Sequence, residues 1–121
     1  MSENRVDLKQ LIFMIKENKD FEANLILDEG CILYTEDPKP LVKVVNYIIN
    51  YLNQISDKPL EISLDLRSHD HLLSLMVYTD KSELPDFSAE VEGALKSYQG
   101  SIEKIHETGK YIQFKLSFAH P

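Results

Sequence analysis

Asp37-Pro38-Lys39-Pro40-Leu41-Val42-Lys43-Val44-Val45-Asn46-Tyr47-Ile48-Ile49-Asn50-Tyr51-Leu52-Asn53-Gln54-Ile55 carries the longest amphipathic pattern of the chain. At about 100° per residue, Leu41, Val44, Val45, Ile48, Ile49, Leu52 and Ile55 fall on one apolar arc, which predicts a helix with that stripe against a core. Asn46, Asn50 and Asn53 cluster on another arc. Asp37 is placed to accept backbone N–H bonds at the helix start, and Pro38 suits the first helical position, where its missing N–H would have no partner anyway. Asp57-Lys58-Pro59 ends the segment.

Outward from this helix the periodicity changes. Val6 to Asn18 is predicted as a first helix, with Leu8, Leu11, Ile12 and Ile15 at helical spacing and Asp7 with Gln10 set for reciprocal capping. Phe21 to Leu27 alternates weakly and reads as a strand, Asp28-Glu29-Gly30 as a turn, and Cys31 to Tyr34 as the strand returning beside it. On the other side, Leu60 to Arg67 alternates apolar and polar without a slip, the pattern of a strand with one buried face. Ser68-His69-Asp70-His71 connects it to a more apolar strand, Leu72 to Tyr78, as an antiparallel hairpin. A polar loop from Thr79 to Pro85 precedes a third helix marked by Phe87, Val91, Ala94, Leu95 and Tyr98, with Gly100 as its stop. Strands Ser101 to His106 and Tyr111 to Phe118 close the chain. The expected core contains Leu11, Ile48, Leu52, Leu64, Leu75, Ala94, Leu95, Ile102, Phe114 and Leu116.

Composition narrows the function. The chain has 121 residues, 43% hydrophobic and 27% charged, as expected of one globular domain spanning residues 1–121. A net charge of −7 with scattered Lys and Arg argues against nucleic acid and against an acidic membrane surface. No secretory leader and no membrane-length apolar run is seen, and one cysteine, Cys31, forms no internal disulfide, so a cytoplasmic location is expected. Cys31 lacks a neighbouring base and reads as a core residue. His69 and His71 read as an exposed turn with no adjacent third ligand, and His106 and His120 lie far off in sequence, so no metal site is expected.

Asp37, Leu41 and the run Val44-Val45-Asn46-Tyr47-Ile48-Ile49-Asn50 resemble the N box of the histidine-kinase-like ATPase (GHKL) family. Ser97-Tyr98-Gln99-Gly100-Ser101-Ile102-Glu103 and Glu107-Thr108-Gly109-Lys110-Tyr111-Ile112-Gln113-Phe114 are similar to its closing segments, and Val6-Asp7-Leu8 to the start of its catalytic region. The resemblance implies an α+β two-layer sandwich, a mixed and mostly antiparallel sheet with three helices on one face. It also implies a nucleotide pocket framed by the asparagine helix, the loop after the central strand and the start of the third helix, with Asn50 helping to hold magnesium. Asn46, Asn50, Thr79, Asp80, Lys81 and Glu83 are the residues of that pocket here.

The departures from the family carry the functional expectation. Thr79 stands where the adenine-recognising aspartate belongs, or Asp80 takes that place if the register slides by one, and Lys81 and Glu83 replace two glycines. Asp86 follows Pro85 directly into the third helix, leaving no ATP lid, and no phosphoacceptor helix hairpin is expected ahead of the domain. Loss of a charged hydrogen-bond acceptor removes about 1.5–3 kcal/mol, and Glu83 sets a negative charge near an anionic ligand. A degenerate domain, nucleotide-free and catalytically inactive, is therefore expected, with no cofactor, no catalytic residue and a role as a protein-binding or regulatory module in bacterial two-component signalling. The expected partners are a histidine kinase, a response regulator or a sigma-factor system. Tyr47, Tyr51 and Phe87 are the expected partner-facing residues, since exposed tyrosines favour interfaces. The alternatives are an ATP- and magnesium-binding kinase domain with an altered pocket, and an anti-sigma-like antagonist.

Overall fold

The computed structural model describes residues 4–120. In chain order the elements are β1 (Asn4–Asp7), α1 (Leu8–Asn18), β2 (Ala23–Leu27), β3 (Ile32–Thr35), α2 (Lys39–Ile55), β4 (Leu60–Leu66), β5 (Asp70–Tyr78), α3 (Glu90–Lys96), β6 (Gly100–Glu107) and β7 (Tyr111–Ala119). Five strands make one sheet in the order β2-β4-β5-β7-β6, parallel between β2 and β4 and antiparallel elsewhere; β1 and β3 form a separate antiparallel pair. This is the two-layer α+β arrangement expected, with helices over one sheet face.

The strict alternation read in β4 and β7 has its counterpart in burial. Leu60, Ile62 and Leu64 on β4, Leu73, Leu75 and Val77 on β5, and Ile112, Phe114, Leu116 and Phe118 on β7 are all buried, and α2 lays Leu41, Val45, Ile48, Ile49 and Leu52 over them. Each such side chain withdrawn from water contributes about 1.5–3 kcal/mol, so this layer supplies most of the drive to fold. Of the expected core, Ala94 and Ile102 are only half-buried, because α3 is short and β6 is an edge strand. Among the described residues no helix is long and apolar enough to cross a membrane.

Three expectations are corrected. The first helix begins at Leu8, because Val6 belongs to β1; Asp7 caps it, its carboxylate accepting from the N–H of Lys9 at 3.0 Å and of Gln10 at 3.5 Å. Second, β2 and β3 are no hairpin. Asp28 keeps the end of β2 on β4, its N–H donating to Leu64 O at 2.8 Å and its carboxylate accepting from Leu66 N at 2.9 Å, and Gly30, at φ 91, turns the chain away towards β1. Third, the third helix is shorter than its apolar marks: Phe87 precedes it, and its run-out ends at Gln99, left-handed at φ 54, so that Gly100 already belongs to β6. At the start of α2, Asp37 accepts from Lys39 N at 3.1 Å, and the tolerated proline inside the first turn is Pro40, while Pro38, expected at the first helical position, stands just before the helix.

Candidate functional site

Two flanks of α2 decide what the site can hold. Asn50 lies on the flank facing the end of α1, where its side-chain oxygen accepts from Lys19 Nζ at 2.8 Å. Tyr47 and Tyr51, each one residue further on, are turned by about 100° towards α3 and the loop that precedes it. The Tyr51 hydroxyl donates to Pro85 O at 2.7 Å, and the Tyr47 hydroxyl accepts from Ser88 N at 2.9 Å. Both tyrosines thereby tie α2 to the 85–88 segment.

Their rings form one aromatic cluster with Phe87 and Phe114. Phe87 lies 5.2 Å from Tyr47 and 5.1 Å from Tyr51 between ring centroids, and it stacks on Phe114 of β7 at 4.6 Å with 20° between planes. Tyr51 meets Phe114 edge-on at 5.6 Å. These are the separations at which aromatic pairs attract beyond simple area burial. Tyr51 is 3% exposed, and burial, followed by the neighbouring Tyr47 and Asp86, raises its hydroxyl pKa and keeps it a protonated donor. Of the three residues expected to face a partner, Tyr51 is buried, while Tyr47 and Phe87 are half-buried and pack on it and on each other.

The residues predicted to share a nucleotide pocket are distributed differently. Thr79, Asp80 and Lys81 line a cleft of about 520 Å³ together with Asn53, Gln54, Lys58 and Lys110, whereas Asn46 and Asn50 do not reach it and Glu83 is exposed in the loop. Thr79 is buried and committed: its N–H donates to Lys110 O at 3.0 Å, and its hydroxyl oxygen accepts from Lys81 N at 3.2 Å. Lys110 enters because β5 and β7 pair with Tyr78 opposite Tyr111, which brings the β6–β7 turn beside the end of β5. That juxtaposition has no local sequence signal. Lys58, Lys81 and Lys110 share this cleft with Asp57 and Asp80, at the carbonyl end of α2, where the helix dipole opposes an anion.

The remaining reactive groups are structural. Cys31 is fully buried, and burial, followed by Asp28, Asp7 and Asp65, pushes its thiol up to about 11, which makes it inert as a nucleophile. His71, expected in an exposed turn, is in β5 and 3% exposed; its Nε2 donates to Ile32 O at 3.2 Å. His120, remote in sequence, stacks on it with centroids 4.3 Å apart. No cluster of three or more potential metal ligands occurs among the described residues.

No protein-family model matches the chain, and neither does any curated protein sequence. Solved structures do. The histidine kinase domain of the E. coli osmosensor EnvZ superposes with TM-score 0.76 at 10% identity, over 100% of this chain and 91% of that one. The ATP-binding domain of PrrB from Mycobacterium tuberculosis gives 0.75 at 16% identity, over 100% and 99%. Histidine kinase ThkA, in a crystal structure with the response regulator protein TrrA, gives 0.72 at 13% identity, over 98% of this chain and 42% of that one. At these identities the likeness is one of fold: the chain has the fold of histidine-kinase catalytic ATP-binding domains.

Proposed function

We propose that the chain is a nucleotide-free, catalytically inactive histidine-kinase-like domain that acts in the bacterial cytoplasm as a protein-binding or regulatory module of signal transduction. The observation that carries this is the aromatic cluster. Between α2 and the segment leading into α3, part of the frame that the family resemblance implies for a nucleotide, Tyr47, Tyr51 and Phe87 pack against Phe114. The hydroxyl bonds to Pro85 and Ser88 hold that segment down on the cluster. Asn50, the residue implied for magnesium, is engaged by Lys19 on the opposite flank. A triphosphate would have to displace packed rings and would gain no enclosing lid in return.

A protein partner of the two-component kind is supported by ThkA, which shares the fold and is seen in complex with a response regulator. The test of the nucleotide-free reading is thermal melting with and without magnesium and ATP at about 5 mM. A ligand present at ten times its Kd stabilises the native state by about 1.4 kcal/mol, which raises Tm by several degrees in a chain of this size. No rise is expected, while a reproducible rise overturns the reading.

A further inference from the structure

The pairing of β1 with β3 leaves half of the β3 backbone unused. Leu8 N donates to Cys31 O at 3.0 Å, and the register pairs Val6 with Leu33 and Asn4 with Thr35. In an antiparallel ladder the hydrogen-bonded pairs alternate with non-bonded ones. Leu33 and Thr35 therefore turn their backbone groups to β1, and Ile32 and Tyr34 turn theirs to the other side. The His71 contact agrees with this phase, since the atom it reaches is Ile32 O. The N–H and C=O of Tyr34 point away from β1, and among the described residues no other strand pairs with β3.

Tyr34 of this free edge lines a cleft of about 550 Å³ together with Gln99 and Ala119. The cleft is pre-formed. The Tyr98 hydroxyl donates to Asp37 O at 2.7 Å and accepts from Leu41 N at 3.0 Å, which locks the α3–β6 turn to the start of α2. Tyr34 is 56% exposed at the edge, without the lysine, proline or bulge that commonly blunts such edges. Glu36 and Asp37 also line the cleft, and no lysine or arginine does.

We infer that the β3 edge is a docking site for an extended, basic peptide segment of a protein partner, which adds as a strand beside Tyr34 with its cationic side chains towards Glu36 and Asp37. The inference rests on the protein-binding reading above and supplies its surface and chemistry. Strand addition draws affinity from main-chain bonds and specificity from alternate side chains, and a cleft already held by Tyr98 lowers the ordering cost of binding.

The test uses the whole chain, 15N-labelled, and a capped heptapeptide alternating valine and lysine. Saturable shifts at the Ile32, Tyr34 and Glu36 amides, with a Kd of about 1 mM or better, are expected. The matched peptide alternating valine and glutamate should bind at least about tenfold more weakly. Tyr34→Pro removes the outward N–H without touching the β1 ladder and should weaken binding about tenfold, while Tyr34→Val, which keeps the N–H, should stay within about threefold. Both variants are checked for the wild-type fold by their amide spectra. Equal binding of the two peptides, undiminished binding to Tyr34→Pro, or no binding of the lysine peptide overturns the inference. Self-association that protects the same amides also overturns it, by making a second copy the occupant. Each of these outcomes is independent of the melting result with ATP, so failure at the β3 edge and failure of the nucleotide-free reading are told apart.

Discussion

Truncating Tyr51 to alanine should be among the most damaging single changes in the domain. The side chain is 3% exposed, its ring contacts Phe87 and Phe114 edge-on, and its hydroxyl holds Pro85 O at 2.7 Å. Removing a buried aromatic ring costs about 3–5 kcal/mol through lost transfer energy and the cavity left behind. Leaving the Pro85 carbonyl without its donor adds about 1 kcal/mol. Against a total of about 5–15 kcal/mol for a small domain, that is a large share. Tyr51→Phe isolates the hydroxyl and should cost only about 1–1.5 kcal/mol. Equilibrium urea unfolding measures both, with the alanine variant expected to lower the midpoint far more than the phenylalanine variant at unchanged m-value. Combining Tyr51→Ala with Phe87→Ala should show a coupling of about 1 kcal/mol, because the two rings touch. A Tyr51→Ala loss below about 1 kcal/mol would refute the reasoning, since it would mean that the space beside α2 is not packed.

Two further outcomes follow from particular side chains. Folding lowers the His71 pKa below 6.5 by burial first and by His120 second, against the opposing pull of the Ile32 carbonyl and Asp70. The unfolded chain then takes up the proton first, so the His71 contribution is complete above about pH 6.5 and is lost as pH falls through the folded pKa. The urea midpoint should drop more steeply from pH 7 to 5 in the wild type than in His71→Leu, and parallel slopes would refute this. At glycines, Gly93→Ala should stabilise by about 0.5–1 kcal/mol, since its Cβ would meet open space on α3. Gly100→Ala should destabilise by about 1–3 kcal/mol, because its Cβ would lie 3.0 Å from the Phe118 ring and 3.1 Å from Leu95 O. Thermal melting of the two variants reads both signs.

Elements whose pattern is local were legible in the sequence. The stripe from Leu41 to Ile55 is α2, and the alternation in Leu60–Leu66 and Tyr111–Ala119 marks which side chains reach the core. Pairing is not local, and there the sequence misleads. Asp28-Glu29-Gly30 has the chemistry of a hairpin turn, yet Asp28 is held by Leu64 and Leu66, far along the chain. β1 has four residues, too few for alternation to declare itself, and its partner is the strand that the hairpin reading assigned to β2. His71 and His120 meet only because β5 and β7 pair along their full lengths.

At the candidate site, Tyr51 rather than Asn50 turns towards the 85–88 segment, and the physical reason this is hard to read lies in what a helix flank can reveal. Periodicity locates the centre of an apolar arc but does not say which flank faces a neighbouring helix and which faces a loop. Asn46 and Asn50 on one flank and Tyr47 and Tyr51 on the other are both consistent with the stripe of Ile48, Ile49 and Leu52. An asparagine beside the 85–88 segment could offer an amide to a ligand, whereas a tyrosine there reaches further and fills the gap itself. The clue in sequence is that Tyr47 and Tyr51 are four apart and Phe87 stands just ahead of α3, so that three aromatic residues were available to meet if α2 and α3 adjoin. They do meet, over Phe114, and the polar groups that a ligand would have needed there are the tyrosine hydroxyls, already bonded to Pro85 and Ser88. That offset of one residue along α2 is what the apolar stripe alone does not report, because both flanks satisfy the same core.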